Sequence, residues 1–401
     1  MDLNQTPLGN RLHIAFFGIR NAGKSSIMNA LTNQNIAVVS PVKGTTTDPV
    51  HKAMELLPLG PVNIIDTAGL DDEGELGQLR IEKTKQILNK TDIAILVIDA
   101  TLDFTPFDHE ILKLITAKNI PYIIAYNKID LIPNFQPKYK TIKPYVYISA
   151  SQNTGIEELK NQLIQIKAHS EPERFILKDI VKPQDIVILV IPIDKAAPKG
   201  RLILPQQQVI RELLDIGATA IMTQDTNLST TLANLKKIPK LIITDSQVFG
   251  KVNKIIPTNI ELTSFSILFS RYKGNLKQQV EAVKILDTIK DNDKILIAEG
   301  CTHHRQCDDI GTVKLPNWIR NYTKANPEFI YSSGTQFPTD LSPYKLIIHC
   351  GGCMLNAQEM QSRLEKAHEE QIPMSNYGTT IAYIHGILKR TLHIFPNFKI
   401  L

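Results

Sequence analysis

A glycine-rich segment near the amino terminus has the spacing of a phosphate-binding loop. It runs from Gly18 to Ser25 in the pattern Gly-x4-Gly-Lys-Ser and follows an apolar run that predicts a strand. Glycines at these positions let consecutive backbone N–H groups turn towards an anion, and the following helix presents its positive end to that anion. Lys24 can reach the outer phosphates of a nucleotide, and Ser25 can bind Mg²⁺. The segment therefore predicts a nucleoside triphosphate site.

Three later motifs indicate which base the site binds. The segment 66–69, Asp-Thr-Ala-Gly, follows an apolar run and would place a carboxylate beside the metal. In the segment 127–130, Asn-Lys-Ile-Asp, the Asp130 carboxylate can accept two N–H bonds from the Watson–Crick edge of guanine, whereas adenine would present an acceptor there. Ser149 and Ala150 stand where a backbone amide would meet the guanine carbonyl. The motifs predict a guanine nucleotide.

Two clusters of cysteine and histidine stand far from these motifs. One is Cys301-Thr-His303, and the other is His349-Cys350-Gly-Gly-Cys353, and each follows an apolar run. If the two runs form neighbouring parallel strands, both clusters emerge at the carboxyl edge of one sheet, and three thiolates could converge there. The glycines let the backbone turn amides towards sulfur.

Three kinds of site use these residue types. A Cys-x-x-Cys pair can be a redox dithiol, although this leaves the first cluster without a role. Three cysteines and one histidine satisfy a structural zinc site. Three cysteines can also hold an iron–sulfur cluster in which one iron has a weak or exchangeable ligand. The chemistry alone leaves the zinc and iron–sulfur alternatives open.

Alternating apolar and amphipathic stretches predict the elements that position the motifs. Residues 11–165 alternate strand-like runs with helical stretches, which is the pattern of a parallel sheet wrapped by helices. Polar stretches at 168–174 and 181–185 indicate a boundary. A second α/β unit follows over 186–244. The sequence therefore predicts an α/β fold with more than one domain.

A third unit is predicted from about residue 263. Its predicted strands are 266–269, 294–298 and 345–348, with a long polar connection before the last of them, and two helices follow towards the carboxyl terminus. The second and third of these strands lead into the two cysteine clusters. The third unit therefore carries the predicted metal chemistry.

Composition excludes several classes of protein. With 401 residues, 43% of them hydrophobic, the chain can bury more than one core. A net charge of +5, from 45 basic and 40 acidic residues, gives no indication of nucleic-acid binding. The longest apolar runs are too short to span a bilayer, and four cysteines suit metal binding in a reducing compartment. We therefore expect a cytoplasmic protein with no membrane segment.

The amino-terminal motifs resemble the TRAFAC-class GTPases, and within them the TrmE–Era–EngA-like group. The Gly-x-Thr-Arg-Asp switch signature of that group is matched at Gly44, Thr46 and Asp48, while Thr47 replaces the arginine. The resemblance implies that Thr46 is a Mg²⁺ ligand and that Asn21 helps to hold K⁺ beside the phosphates. Leu70, which follows the 66–69 motif, cannot orient water as glutamine would, so we expect slow hydrolysis stimulated by K⁺.

The whole chain is similar to the HydF family, the GTPase maturation factors of [FeFe]-hydrogenase. The family motif Cys-x-His followed at a distance by His-Cys-x-x-Cys is matched by Cys301, His303, His349, Cys350 and Cys353. The resemblance implies that the three cysteines hold a [4Fe–4S] cluster and that either histidine is a candidate for a labile fourth ligand. Cys307 lies outside the motif and is expected to be a free thiol.

The resemblance also implies a function. A HydF-like protein is a GTP-hydrolysing scaffold or carrier that receives a diiron subcluster precursor from radical-SAM maturases and delivers it to apo-[FeFe]-hydrogenase. It implies a homodimer, formed through the middle domain. The rival interpretation is a GTPase assembly factor with a structural zinc site, which would act on ribosome or RNA.

The motifs together predict a set of nucleotide-binding residues and three domains. The nucleotide-binding residues are expected to be Gly18, Asn21, Ala22, Gly23, Lys24, Ser25, Ser26, Thr46, Asp66, Gly69, Asn127, Lys128, Asp130, Ser149 and Ala150. The expected Mg²⁺ ligands among them are Ser25, Thr46 and Asp66. The expected domains are a P-loop GTPase domain at 1–170, a small α/β dimerisation domain at 177–262, and an α/β iron–sulfur domain at 263–401.

Overall fold

The fold is taken from a computed structural model that describes residues 6–32, 50–67, 77–137, 144–170, 174–193, 202–300, 309–334 and 336–398. The chain divides into two compact units, Met1–Glu173 and Arg174–Leu401. The α/β class predicted from the sequence is confirmed in both units. None of the helices in these ranges is long and apolar enough to cross a bilayer.

The first unit is built on a mixed sheet. Its described strands are β1 Leu12–Phe17, β2 Val50–Leu56, β3 Gly60–Asp66, β4 Ile93–Asp99, β5 Tyr122–Asn127 and β6 Tyr145–Tyr147. They lie in the order β2-β3-β1-β4-β5-β6, and all pairs are parallel except β2 with β3. Its described α-helices are α1 Lys24–Thr32, α2 Gly77–Leu88, α3 Pro106–Ala117 and α4 Ile156–Ser170.

Both faces of this sheet are covered, because alternate residues of each central strand point to opposite sides. Ile14 and Phe16 of β1 face a core that contains buried residues of α1 and α4. Ala15 and Phe17 face a second core, which contains buried residues of α2 and α3. This explains why the strands appear in the sequence as uninterrupted apolar runs.

The second unit contains two parallel sheets. The first has the order β10-β9-β7-β8, with β7 Ile186–Val190, β8 Thr219–Thr223, β9 Leu241–Thr244 and β10 Glu261–Ser264. The second has the order β12-β11-β13-β14, with β11 Lys294–Glu299, β12 Glu328–Ser333, β13 Leu346–His349 and β14 Met374–Asn376. One hydrophobic core includes residues from both sheets, such as Val187 of β7 and Ile297 of β11.

Helices fill the space around these two sheets. Those in the described ranges are α5 Leu204–Ile216, α6 Leu228–Ala233, α7 Phe249–Ile255, α8 Phe265–Lys273, α9 Leu276–Ala282, α10 Leu315–Thr323, α11 Ala357–Glu369, α12 Tyr377–Ile384 and α13 Leu388–Leu392. Short 3-10 helices occur at Leu8–Asn10, Ile129–Leu131, Ser246–Val248, Val283–Thr288 and Pro396–Phe398, and a π-helical turn at Ile310–Lys314. Met360 and Leu364 of α11 cover the second sheet in a separate small core.

The strand predicted at 266–269 is wrong, because this segment is part of helix α8. Ser264 ends β10 and caps the helix, since its hydroxyl accepts a hydrogen bond from the Ile267 N–H at 3.2 Å. The segment is buried at consecutive positions, including Ile267, Leu268 and Phe269. An apolar run buried on all sides has no periodicity that separates helix from strand.

Candidate functional sites

The phosphate-binding loop joins β1 to α1, as its spacing predicts. Gly18 has a φ of +137°, and a Cβ atom there would lie 2.2 Å from the backbone oxygen of Val97 in β4. Gly23 has a φ of +94°, and its Cβ would lie 2.1 Å from Nδ2 of Asn127. Both positions therefore require glycine, because the loop is packed directly on the neighbouring backbone and on the 127–130 motif.

The side chain of Lys24 folds back onto the backbone of this loop. Its side chain is 6% exposed, and Nζ donates hydrogen bonds to the carbonyl oxygens of Gly18 at 2.6 Å and Ile19 at 2.8 Å. Asn21, in the same loop, has a left-handed φ of +60°. The ammonium group is thus fixed beside the backbone that would surround a phosphate, where an incoming anion could take over its hydrogen bonds.

Oxygen atoms suited to Mg²⁺ converge at the end of β3. Ser25 Oγ donates to Asp66 Oδ2 at 2.9 Å, and Asp66 is 5% exposed. A hydroxyl and a carboxylate are hard oxygen ligands, so these two side chains fit Mg²⁺. The other residues expected near the metal and the γ-phosphate, Thr46 and Gly69, lie outside the described residues.

Asn127 joins the base-recognition motif to the phosphate loop. It is 2% exposed, its Nδ2 donates to the Ala22 carbonyl at 2.8 Å, and its Oδ1 accepts from the Ala150 N–H at 3.1 Å. The exposed Asp130 accepts a hydrogen bond from Ser151 Oγ at 3.3 Å. A hydrogen bond from Ser149 holds the pKa of Asp130 below its ordinary value, so the carboxylate is ionised and ready to accept guanine N–H groups.

Asp99 is a residue of this site that the motifs did not identify. It ends β4, is 5% exposed, and its Oδ2 lies 2.5 Å from Nζ of Lys128, whose φ is +66°. Burial alone would raise the pKa of the Asp99 carboxyl, but hydrogen bonds from Lys128 and Thr101 outweigh it and lower the pKa. The signal in the sequence was an acidic residue at the carboxyl end of an otherwise apolar strand.

The strands that precede the two cysteine clusters in the sequence are parallel neighbours, as predicted. Strand β11 pairs in parallel with β13, and Ala298 stands opposite His349. The Cys350 N–H donates to the Ala298 carbonyl at 2.8 Å, and the Gly300 N–H donates to Cys350 Sγ at 3.0 Å. Cys301, His303 and Cys307 lie outside the described residues. The described chain therefore places Cys350 against Gly300, the residue that precedes Cys301 in the sequence.

The environment of Cys350 fits a metal-bound thiolate. A second amide, that of Gly352, donates to its Sγ at 3.4 Å. Burial raises the pKa of Cys350 to about 11, and neighbouring Cys353 acts in the same direction. A thiolate here needs a cationic partner, and amide donors around cysteine sulfur are typical of iron–sulfur ligands. No group of three histidine, cysteine or carboxylate side chains converges as metal ligands within the described ranges, which omit Cys301 and His303.

His349 makes a hydrogen bond through each of its two ring nitrogens. The ring is fully buried, with Nδ1 2.8 Å from the Cys350 carbonyl oxygen and Nε2 2.9 Å from Nη1 of Arg363. Because arginine can only donate, Nε2 accepts and Nδ1 carries the proton. Burial and Arg363 lower the pKa of His349 to about 3, so the ring is neutral. In this arrangement the ring supports the Cys350 carbonyl, and a role of His349 as labile cluster ligand stays a prediction.

Arg363 supports His349 from helix α11 and was also missed by the sequence analysis. It is 4% exposed, and Nη2 donates to Glu359 at 2.6 Å and to the Gly334 carbonyl at 2.9 Å. Arg363 and Glu359 are four residues apart in an amphipathic helix, which by itself predicts only a surface ion pair. The tertiary structure buries Arg363 against His349 and leaves the Glu359 side chain 12% exposed.

Comparisons with known proteins agree with the two units. Residues 13–128 match a family model described as a 50S ribosome-binding GTPase. Residues 176–274 match the Hydrogen maturase F dimerization domain, and residues 277–394 match the Hydrogen maturase F tetramerization domain.

Curated relatives match the amino-terminal part. The tRNA modification GTPase MnmE of Thermoanaerobacter sp. (strain X514) is 34% identical over 160 residues, which is 39% of this chain and 34% of the relative. The MnmE of Carboxydothermus hydrogenoformans is 39% identical over 155 residues, or 37% and 33% of the two chains. The chain thus spans about a third of the length of these curated relatives.

Among solved structures, an Era variant of Aquifex aeolicus bound to GDP·AlF4⁻ is 22% identical. It covers 53% of this chain and 92% of its own, with a TM-score of 0.35. The family models are the more informative comparison, because a GTPase domain is followed by both Hydrogen maturase F domains. The chain belongs to the Hydrogen maturase F (HydF) family.

Proposed function

We propose that this chain is a GTP-hydrolysing scaffold for assembly of the [FeFe]-hydrogenase active site. It holds a [4Fe–4S] cluster through Cys301, Cys350 and Cys353, receives a diiron precursor from radical-SAM maturases, and delivers it to apo-[FeFe]-hydrogenase in the cytoplasm. The observation that carries the proposal is the pairing of β11 with β13, in which the Gly300 N–H meets Cys350 Sγ at 3.0 Å. This contact supports the convergence of the three cysteines.

The cluster is tested by anaerobic purification. A [4Fe–4S] cluster with three cysteine ligands can accept a bridging ligand from a second metal unit at its remaining iron. We expect brown protein with iron and inorganic sulfide, and we expect Cys353→Ser to lose both. Cys307→Ser is the matched control, because Cys307 lies outside the family motif, and it should keep the colour. Colourless protein that contains zinc would favour the alternative, which is a GTPase assembly factor with a structural zinc site. The observation that supports this alternative is the match of residues 13–128 to a family model described as a 50S ribosome-binding GTPase.

The amino-terminal site supports GTP as the nucleotide. Lys24 would meet the outer phosphates, Asp130 would read guanine, and Ser25, Asp66 and Thr46 would hold Mg²⁺, which neutralises phosphate charge. A nucleotide-dependent change in the switch segment around Thr46 would alter the affinity for partner proteins. GTP hydrolysis would then determine when one partner is exchanged for another. Loaded Lys24→Ala protein should therefore mature hydrogenase more slowly than the loaded wild type. Equal rates would show that GTP has no role in delivery.

Potassium is proposed to take the place of an arginine finger. Asn21 supports this, since its left-handed conformation belongs to the loop that surrounds the phosphates. We expect slow GTP hydrolysis that K⁺ stimulates and Na⁺ does not, because the two ions differ in size and hydration but not in charge. Equal turnover in the two salts would contradict the role of K⁺ and leave the GTPase proposal intact.

Self-association is proposed to occur through the middle domain. The matches to dimerization and tetramerization domains support an oligomer, and we propose a homodimer as the basic unit. Light scattering of the full chain tests this proposal. A strictly monomeric protein across the concentration range would contradict it.

A further inference from the structure

Lys273 is a buried cation beside the cysteine loop, and it lies outside the sequence motifs. It is the last residue of α8 and is 2% exposed. Its Nζ donates to the Cys353 carbonyl at 3.0 Å and to the Leu355 carbonyl at 2.7 Å. Lysine is almost never fully buried, because removing an ammonium group from water costs several kcal/mol. The position therefore needs an explanation in terms of the loop.

The two hydrogen bonds of Lys273 hold the carboxyl-terminal end of the His-Cys-Gly-Gly-Cys loop. The Gly300 and Gly352 amides hold the sulfur of Cys350, while Lys273 holds the backbone on either side of Met354, immediately after the motif. Both Lys273 bonds end on neutral carbonyl oxygens. They orient the ammonium group towards the end of the loop.

Lys273 places a positive charge beside the last cysteine of the loop. Its Nζ lies 3.0 Å from the Cys353 carbonyl oxygen. Because the side chain is only 2% exposed, water and salt screen this charge less than they screen a charge on the surface. Lys273 thus contributes positive charge next to the Cys353 end of the site.

A buried iron–sulfur cluster would need such a cation. With three thiolate ligands, a [4Fe–4S] cluster carries one net negative charge when oxidised and two when reduced. Reduction adds one electron and no proton, so a fixed positive charge nearby stabilises the reduced form more than the oxidised form.

We propose that Lys273 is a positioning and charge-compensating residue of the iron–sulfur site. It fixes the backbone that follows Cys353 and favours the reduced cluster. This inference rests on the proposed function in one respect, namely that a [4Fe–4S] cluster occupies the site.

The test uses anaerobically reconstituted full-length protein at pH 7, titrated with dithionite as the one-electron donor and followed by electron paramagnetic resonance. Lys273→Met removes the charge and the hydrogen bonds at similar side-chain volume, whereas Lys273→Gln keeps an N–H donor and removes the charge. Lys277→Met is the matched control, because it removes an exposed lysine four residues further along. The melting temperature of each cluster-free protein is measured in parallel.

In both neutral variants the reduction equilibrium should shift about tenfold towards the oxidised cluster. For one electron, this corresponds to a reduction potential that is about 59 mV more negative. The Lys277→Met control should stay at the wild-type potential. Loss of cluster binding by a variant whose cluster-free form melts like the wild type would also support the proposal. Wild-type potentials in both Lys273 variants would overturn it, and so would failure of both variants to fold, since Lys273 would then be a purely structural cation. A wild-type protein without iron would instead contradict the proposed function.

Discussion

Asn127 donates a hydrogen bond to the carbonyl oxygen of Ala22 at 2.8 Å, across a sequence separation of 105 residues. The same side chain accepts from the Ala150 N–H, so it connects the ends of β1, β5 and β6. The base-recognition motif is therefore also a structural support of the phosphate loop.

Replacing Asn127 with alanine should weaken guanine nucleotide binding. The substitution leaves a buried carbonyl and a partly buried N–H without a partner, which costs about 1–3 kcal/mol and corresponds to roughly a 5- to 150-fold rise in Kd for GDP. Titration with a fluorescent GDP analogue measures the effect. Asn161→Ala, at an exposed position of α4, is the control and should bind like the wild type. An unchanged Kd in Asn127→Ala would contradict the connection.

Replacing Gly18 with alanine should destabilise the first unit more than replacing Gly60. Both glycines have positive φ, so alanine is strained at either position by about 1–2 kcal/mol. Only at Gly18 would the new Cβ meet backbone, 2.2 Å from Val97 O, whereas nothing lies within 4 Å at Gly60. The clash should add about 1–3 kcal/mol. Chemical denaturation of the full-length variants compares the two, and equal losses would mean that the loop can move away from β4.

Neutralising Asp99 should weaken nucleotide binding by releasing Lys128. Asp99→Asn keeps the size of the side chain but removes the ion pair, and we expect a loss of about 1 kcal/mol, roughly fivefold in GDP affinity. Glu157→Gln removes the exposed pair with Lys160 in α4 and serves as the control, with no change in affinity expected.

The pH dependence of that pair follows from the lowered pKa of Asp99. A carboxyl whose folded pKa lies below the ordinary value of about 3.9 contributes stability above that pH and loses it as the pH falls through the lowered pKa. The stability difference between wild type and Asp99→Asn should therefore be constant from about pH 6 to about pH 8 and shrink only below about pH 4. A difference that disappears near neutral pH would contradict the assigned ion pair.

Breaking the ion pair of the buried Arg363 should lower the free energy of unfolding far more than breaking an equivalent surface pair. Arg363→Gln removes the guanidinium that donates to His349 Nε2 and leaves Glu359, whose side chain is only 12% exposed, without its cation, so we expect a loss of about 3 kcal/mol. Arg211→Gln breaks the Arg211–Asp215 pair, which has the same four-residue spacing but is exposed, and should cost under about 1 kcal/mol. Denaturant midpoints of the two variants give the comparison. Equal midpoints would show that Arg363 does not support the cysteine loop.

The sequence by itself determined the α/β class and the nucleotide motifs. Local patterns carry this information, because Gly18 to Ser25 and the 127–130 motif are contiguous, and central parallel strands appear as uninterrupted apolar runs. The same reasoning failed for 266–269, where complete burial removes the periodicity. It also missed the edge strands β12 and β14, which pair with β11 and β13.

Only the tertiary structure decided how the parts of each site support one another. It pairs Asp99 with Lys128, and it places the two ring nitrogens of His349 against the Cys350 carbonyl and Arg363. It also buried Lys273 against the loop that follows Cys353. These residues are distant in sequence and carry no local pattern of their own. Their charges and hydrogen bonds acquire a function only when the strands and helices pack and remove them from water.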